Sequence, residues 1–318
     1  HWDANPDDDF FFNCLKNSSE QYKNEIYDIF FGATFLHRDV TYGDVMGVNA
    51  SEGQYKNLLK IQEKYGIPIS LTLNSMDRPI QMIRHDIIKE FVSYIKKYYD
   101  DGVRSCTISH THLMKTGALQ EAFPDMDWKN TVNHGIKSTQ EMLDYAALGY
   151  TTIQLDRKFN RSYAALKRTK KEADRIGVKT CLLIKEYCMP ECPFKQEHDC
   201  WSGGSSFREI GTDYWETIPF TCNTWRPIRI GGEQKEKDIE VINPRTGTDM
   251  MVHSKDDWDE FASIVDIFKL SGRLNNHNPT TTQQKLAYYF EMQKPEVTSA
   301  DESTVTTNMM MVDSFKEV

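Results

Sequence analysis

The sequence predicts an α/β fold of the (β/α) barrel type, TIM-like but not necessarily regular. Short apolar segments alternate with longer amphipathic segments at a spacing of roughly 35–45 residues, which is typical of parallel βα units. The predicted strands also end in polar residues, as a site at the carboxyl mouth of a barrel requires. A doubly wound open sheet is the alternative architecture.

The predicted strands show apolar alternation or a continuous apolar run. Every second residue from Ile67 to Leu73 is apolar, and Asn74 ends that strand. The other predicted strands span residues 10–12, 25–32, 103–109, 131–133, 151–155, 178–184 and 264–270.

The predicted helices carry apolar residues at helical spacing and end at a helix-breaking residue. Residues 54–65 place Tyr55, Leu58 and Ile61 on one face, and Gly66 ends the helix. Further helices are predicted at residues 82–99, 113–123, 140–148, 162–176 and 281–292, and the periodic pattern resumes at residues 258–262 after the interruption.

Five segments follow from these patterns and from shifts in composition. Residues 1–9 form an acidic tail, and residues 10–200 form the first part of the barrel. Residues 201–257 are rich in Gly, Thr, Asn, Arg and Trp, and they interrupt the alternation of predicted strands and helices. This change predicts a cysteine-containing insertion after about the sixth βα unit. Residues 258–292 supply the closing strand and helix, and residues 293–318 are a polar tail.

Composition narrows the class of protein. The 318 residues are 39% hydrophobic, enough for one large core or a core with a smaller appendage. The formal net charge of −9 disfavours an autonomous nucleic-acid binder, although a local basic face is compatible with RNA binding. We find neither a signal-peptide pattern nor the ~18–20 apolar residues that cross a bilayer, so we expect no membrane association.

Seven cysteines, an odd number in a chain of this length, predict a reducing compartment rather than a disulfide scaffold. We therefore expect a cytoplasmic protein that uses some of its cysteines as metal ligands.

A metal centre is predicted directly after the strand at residues 178–184. Cys188 and Cys192 are separated by three residues, Cys200 follows eight residues later, and Cys222 completes a set of four. Soft thiolates suit an iron–sulfur cluster or zinc, and the spacing alone does not separate the two. His198 or Cys181 is an alternative to Cys200 as a ligand.

Polar residues at the predicted strand ends are the candidate active-site groups. We expect His110, His134 and Glu186 to act as acid, base or donor groups. The alternative is that each histidine only hydrogen-bonds within the fold. The expected substrate-binding residues are Asn74, Asp156, Arg161, Lys269 and Arg273, of which Lys269 and Arg273 suit a carboxylate or phosphate unless they form salt bridges that lock the barrel.

Four segments resemble the U-32 peptidase (collagenase-like protease) family over roughly residues 10–292. They are residues 66–74 (GIPISLTLN), 122–125 (AFPD), 155–161 (LDRKFNR) and 268–273 (FKLSGR). The Cys188, Cys192, Pro193 and His198 pattern is similar to the family's C-x3-C-P…H loop. Lys195 departs from the arginine that relatives often carry there, so the ligand set is not copied whole from one branch.

The resemblance implies a barrel-like fold and, in several branches, an oxygen-sensitive 4Fe–4S cluster. Despite the peptidase name, it also implies oxygen-independent hydroxylation of ubiquinone precursors or of tRNA and rRNA bases. We therefore expect an iron–sulfur enzyme that hydroxylates or modifies an aromatic ring or a nucleobase, with a protein partner subunit as a further expectation. The alternatives are a collagenase-like peptidase and a non-enzymatic binding subunit with structural zinc.

Overall fold

The computed structural model describes residues 15, 20–44, 49–184, 195–196 and 260–270, and its main feature is a parallel β-sheet. The described strands are β1 (Ile29–Gly32), β2 (Thr34–His37), β3 (Val40–Gly43), β4 (Ile69–Leu73), β5 (Ser105–Ile108), β6 (Asp127–Lys129), β7 (Thr152–Leu155), β8 (Lys179–Ile184) and β9 (Ile267–Leu270). The described helices are α1 (Glu20–Glu25), α2 (Glu52–Tyr65), α3 (His85–Asp100), α4 (Thr111–Lys115), α5 (Ala118–Ala122), α6 (Thr139–Ala147) and α7 (Tyr163–Ile176).

Seven of these strands form one sheet in the order β1-β4-β5-β6-β7-β8-β9. Every neighbouring pair is parallel, as βα connections on one side of a sheet require. The order follows the chain without the reversal that defines a doubly wound sheet. The prediction of an α/β fold built from parallel βα units is therefore confirmed.

The sheet curls strongly, as contacts across its concave side show. The Tyr27 hydroxyl, just before β1, donates to Asp127 Oδ2 of β6 at 2.9 Å and accepts from Lys179 Nζ of β8 at 3.0 Å. In a flat sheet β1 and β8 would lie roughly 24 Å apart, because neighbouring strands are ~4.8 Å apart. The described strands thus form a curled half-barrel, and closure into a complete barrel stays a prediction.

Helices cover the outer, apolar face of the sheet. On α3 the side chains of Ile87, Phe91 and Ile95 are fully buried, and each such burial contributes roughly 1.5–3 kcal/mol. α2 begins with a capping box between Ser51 and Gln54, and it ends at Gly66, whose φ of 67° suits glycine. These local signals explain why the predicted helix at residues 54–65 is confirmed.

Several predicted elements differ from the structure, among them the strand predicted at residues 264–270, which begins only at Ile267. The strand predicted at residues 131–133 is wrong: the strand is Asp127–Lys129, and a 3-10 helix spans Val132–His134 because the Thr131 hydroxyl caps Asn133 N. The helix predicted at residues 113–123 is split into α4 and α5 at Gly117, which has a φ of 75°. The strand predicted at residues 25–32 begins only at Ile29.

An antiparallel hairpin, β2–β3, was not predicted. Its Phe35 ring packs edge-on against Phe91 of α3, with 5.1 Å between ring centroids. At Gly43 an added Cβ would lie 2.5 Å from Thr34 Oγ1 and 2.8 Å from the carbonyl oxygen of Ala33, so any side chain would separate the two strands. The hairpin therefore depends on glycine at this position.

Several predictions lie outside the described residues. These are the strand at residues 10–12, the insertion at residues 201–257, the helix at residues 281–292 and both tails. Within the part of the chain that is described, no helix combines the length and apolar character needed to cross a membrane.

Candidate functional site

The concave face of the sheet is mostly polar. Phe31 of β1 points outward, because its ring lies 5.2 Å from that of Tyr55 and 5.7 Å from that of Tyr98 on the covering helices. The alternate residues therefore point inward. The register between neighbouring strands extends this assignment to the whole sheet. The residues on the concave face are Phe30, Gly32, Ser70, Thr72, Ser105, Thr107, Asp127, Lys129, Thr152, Gln154, Lys179, Cys181, Leu183, Ile267 and Lys269.

This polar lining differs from that of an ordinary βα barrel, whose interior is filled by bulky branched apolar side chains. The inward hydroxyls of Ser70 and Ser105 pair at 2.9 Å on neighbouring strands. The Thr72 hydroxyl is fully buried and has no hydrogen-bond partner among the described residues. A polar interior of this kind favours the binding of a polar ligand over pure packing.

The amino-terminal end of the concave face carries a buried ion-pair cluster. Lys129 donates to Asp28, lies 3.8 Å from Asp127 Oδ2, and has its ammonium 4.9 Å from the centre of the Tyr27 ring. Burial lowers the pKa of Lys129, but the two carboxylates more than offset this and the net shift is upward. The cluster connects the segment before β1 with β6 and therefore stabilises the curl of the sheet.

A second network holds Lys269 on the same face. The side chains of Asn130 and Gln154 bond each other's backbones: Gln154 N donates to Asn130 Oδ1 at 2.5 Å, and Gln154 Nε2 donates to the Asn130 carbonyl at 2.5 Å. Gln154 Oε1 accepts from Lys269 Nζ at 3.1 Å, and the same ammonium lies 4.6 Å from the centre of the Phe30 ring. Lys269 and Phe30 are half-buried, so this part of the face is accessible.

Cys181 belongs to this interior. Burial raises the pKa of its thiol to about 12, although Lys269 and Lys129 act in the opposite direction. Without a bound metal ion Cys181 is therefore a protonated thiol at neutral pH, and its role as an alternative metal ligand stays a prediction.

Tyr42 of the hairpin organises the carboxyl edge of the sheet. Its buried hydroxyl accepts from Ser109 N at 3.0 Å and from His110 N at 3.1 Å. Because Ser109 Oγ donates to the carbonyl of Ser75, the Tyr42 hydroxyl donates in turn to Ser109 Oγ, at 2.8 Å. The loops after β4 and β5 are thereby held against β3.

His110 begins α4 as its N-cap. Its Nδ1 accepts from Leu113 N at 3.2 Å, and its Nε2 lies 2.9 Å from the carbonyl oxygen of Pro79. This arrangement fits the neutral imidazole with the proton on Nε2, and burial lowers the pKa of His110. Both ring nitrogens are thus used inside the fold, and the catalytic role of His110 stays a prediction.

His134 reaches the same edge from the loop after β6. Its Nε2 donates to the carbonyl oxygen of Ser109 at 2.8 Å, and its ring lies 4.9 Å from that of Tyr145. Burial lowers the pKa of His134 to about 4, so the imidazole is neutral at pH 7. Its Nδ1 is a buried acceptor with no partner among the described residues, and therefore a group able to accept a hydrogen bond from a ligand.

Some of the predicted substrate-binding residues lie at the carboxyl edge of the sheet. Asn74 is buried directly after β4. Asp156 follows β7, where its Oδ1 accepts from Lys158 N at 2.8 Å and caps a 3-10 helix. That helix spans Arg157–Arg161, but the side chain of Arg161 is outside the described residues.

The remaining predicted site residues also lie outside the described residues. They are Glu186, Arg273 and the four proposed metal ligands Cys188, Cys192, Cys200 and Cys222. Among the residues that are described, no group of three or more His, Cys, Asp or Glu side chains is arranged to hold a metal ion.

Sequence reasoning missed the residues that shape the concave face. Gln154 and Thr152 alternate with apolar residues in β7, and Asp127 and Lys129 flank Trp128 in β6. This polar alternation within strands that are buried on both faces was the available signal. Tyr42 gave no comparable signal, because its hydrogen-bond partners are more than 60 residues away in sequence.

The fold and site define an α/β protein with a curled parallel sheet and a polar concave face. No protein-family model matches the sequence, and no curated protein matches it at a significant level. Among solved structures the chain is similar to the U32 peptidase Mk0906, at 11% identity and a TM-score of 0.46, over 78% of this chain and 82% of that chain.

A second similar structure is the Bacillus subtilis YkuI protein, which has an EAL domain and was solved with its substrate c-di-GMP and calcium. It shows 13% identity and a TM-score of 0.28, over 63% of this chain and 56% of that chain. Membership of the U32 peptidase family stays a proposal.

Proposed function

We propose that the chain is an iron–sulfur enzyme of the U32 peptidase-like type. Its reaction is the oxygen-independent hydroxylation or related modification of an aromatic ring or nucleobase, bound at the concave face of the sheet. The observation that carries this proposal is the polar, partly accessible concave face, which contains a half-buried lysine and a buried threonine hydroxyl with no described partner.

The cysteine set supports the choice of cofactor. Cys188, Cys192, Cys200 and Cys222 are four soft donors, the number that a 4Fe–4S cluster needs, and they would hold it. When bound, such a cluster supplies one-electron transfer. The segment that carries them begins at residue 185, directly after β8, and parallel strands end at the edge where His134 lies.

The protein's own residues would bind and orient the substrate. His134 Nδ1 is a neutral buried acceptor, suited to accept a hydrogen bond from a ring hydroxyl or ring N–H, and its role as a proposed acid–base group needs a ligand contact that stabilises the imidazolium. His110 and Glu186 remain the other proposed acid–base groups. Asn74, Asp156, Arg161, Lys269 and Arg273 are proposed to line the substrate site.

Metal and acid-labile sulfide analysis of anaerobically purified protein tests the proposal. We expect about four iron and four sulfide per chain, and we expect both to be lost in Cys192→Ala. The matched control is Cys106→Ala, because Cys106 is a buried cysteine on the outer face of β5 and is not one of the proposed ligands. Zinc without sulfide, or iron that persists in Cys192→Ala, would contradict the proposed enzyme.

A further inference from the structure

The exposed side of α7 carries the strongest positive charge among the described helices. The helix contains five cationic side chains and two carboxylates, a net charge of +3, in a chain whose formal net charge is −9. α2 has three lysines and two glutamates, a net charge of +1, and α3 has three lysines and three acidic residues. Positive charge is thus concentrated on one helix of an acidic protein.

Four of these cations share one exposed stripe. Lys167, Lys171 and Arg175 follow each other at one-turn spacing, and Arg168 lies beside Lys167 on the same side of the helix. A rise of ~1.5 Å per residue gives the stripe a length of about 12 Å. The opposite side of α7 is buried, and it consists of Leu166, Thr169 and Ala173.

The carboxylates of α7 do not neutralise the whole stripe. Glu172 pairs with Arg175 at 2.8 Å, and Asp174 pairs with Lys170, the one cation outside the stripe. Lys170 also lies 2.8 Å from Asp266, the residue before β9. Both carboxylates of the helix are therefore already used by other cations.

The remaining three cations are Lys167, Arg168 and Lys171. Their side chains are exposed and form no hydrogen bond or ion pair with a described residue. Lys167 and Lys171 are like charges at i and i+4, an arrangement that weakens a helix. At the same spacing on α2, Lys56 instead pairs with Glu52 at 2.6 Å. An anionic partner would remove the repulsion within α7.

An acidic protein fits this stripe better than a nucleic acid does. A protein that binds duplex DNA tightly makes ~6–10 phosphate contacts, whereas the stripe offers four cations, one of them shared with Glu172. The acidic remainder of the chain would also repel a long polyanion. A compact basic patch is sufficient to steer an acidic protein and to fix its orientation.

We propose that the stripe of Lys167, Arg168, Lys171 and Arg175 on α7 is a docking surface for an acidic protein partner. α7 covers the outer face of the sheet, so a partner bound there leaves the concave face open to substrate. This inference goes beyond the proposed function and does not depend on a bound cluster.

Fluorescence anisotropy with the purified full chain tests this inference. The probe is a fluorescein-labelled peptide of alternating Glu and Asp, which represents an acidic protein segment. We expect saturable binding at low salt that weakens as the salt concentration rises. The charge-reversal variant Lys167→Glu with Arg168→Glu and Lys171→Glu should bind ~10-fold or more weakly, because three attractive charges become repulsive.

The matched control places the same charge change on α2. Lys56→Glu with Lys60→Glu and Lys64→Glu alters the net charge of the chain equally, and peptide binding should stay within about 2-fold of the wild type. Equal losses in the two variants, undiminished binding in the charge-reversal variant, or no saturable binding to the wild type would overturn the docking surface. Tighter binding of an oligouridylate of equal charge, lost in the charge-reversal variant, would replace the acidic protein by a nucleic acid.

A neutral variant keeps the test independent of new carboxylates. Lys167→Gln with Arg168→Gln and Lys171→Gln should weaken peptide binding while its midpoint of urea unfolding stays equal to or above that of the wild type, because the repulsion is removed. A clear fall in that midpoint would show that these side chains have a structural role and would overturn the proposal.

Discussion

Removal of one partner from the ion pair between Asp28 and Lys129 should be among the most destabilising single changes in the described fold. Both side chains are almost completely buried, with exposed fractions of 12% and 9%. The pair joins the segment before β1 to β6, three strands away in the sheet. Replacing Asp28 by Asn leaves the ammonium of Lys129 in a buried place with one carboxylate fewer.

The expected cost follows from what remains around Lys129. Removing one partner of a buried ion pair typically costs about 3–5 kcal/mol, because the other charge stays uncompensated. Here Asp127 at 3.8 Å retains part of the attraction, so we expect Asp28→Asn to lower the unfolding free energy by about 3 kcal/mol. Lys129→Met should cost more, about 4–5 kcal/mol, since it removes the cation that lies between the carboxylates of Asp28 and Asp127.

Urea denaturation followed by far-UV circular dichroism measures these values, and a double-mutant cycle isolates the pair. The double variant Asp28→Asn with Lys129→Met should be about 2 kcal/mol more stable than the sum of the single losses predicts. Lys56→Met serves as the control for loss of an exposed lysine and should change stability by less than about 0.5 kcal/mol. Additive single effects, or a loss below ~1 kcal/mol in Asp28→Asn, would refute the argument that this pair fixes the curled sheet.

Two further predictions concern the carboxyl edge. Tyr42→Phe leaves the buried N–H groups of Ser109 and His110 without their acceptor, and it should lower the unfolding free energy by about 1–3 kcal/mol in urea; unchanged stability would contradict this. The pKa of His134 is lowered from about 6.5 unfolded to about 4 folded, so the unfolded chain binds more protons between these pH values. Stability should therefore fall as pH drops from about 6.5 to 4, by at most ~3 kcal/mol, and His134→Gln should lack this part of the loss when both proteins are compared at pH 7.5 and 4.5.

The parallel sheet was predictable because its signals are local. Residues 151–155 place Ile153 and Leu155 at alternate positions, and residues 178–184 end in an apolar run from Cys181 to Ile184; the two segments correspond to β7 and β8. Helix ends were equally local, as Gly66 and Gly177 show by their positive φ values of 67° and 71°. The spacing of apolar residues therefore predicted most strands and helices without knowledge of the tertiary contacts.

The elements that were missed depend on distant partners. β6 has three residues with one apolar side chain, Trp128, so its pattern is too short to distinguish it from the β-branched segment that follows. The hairpin is held by packing of Phe35 and Tyr42 against Phe91, about 50 residues away in sequence. Such contacts have no periodic signature.

The candidate site was predictable in part. His110 and His134 were chosen as candidates because each follows a predicted strand. In the structure both lie at one edge of the sheet, where the carbonyl oxygen of Ser109 accepts from His134 and Ser109 directly precedes His110. The concave face was not predicted, because its pairs join strands that are far apart in sequence. Lys179 and Tyr27, for example, are separated by 152 residues.

The polar side chains at the two ends of the concave face have different roles: those at one end stabilise the fold, and those at the other end fit a role in ligand binding. At the amino-terminal end the charges are paired, and Asp28, Asp127 and Lys129 convert buried polarity into contacts across the curl. Further along, Thr72 keeps a buried hydroxyl without a described partner, which costs about 1–3 kcal/mol relative to a satisfied group. A valine there would have nearly the same shape without this penalty. A sequence that keeps the hydroxyl, together with a lysine oriented by Gln154, fits a face used for binding better than one used only for packing.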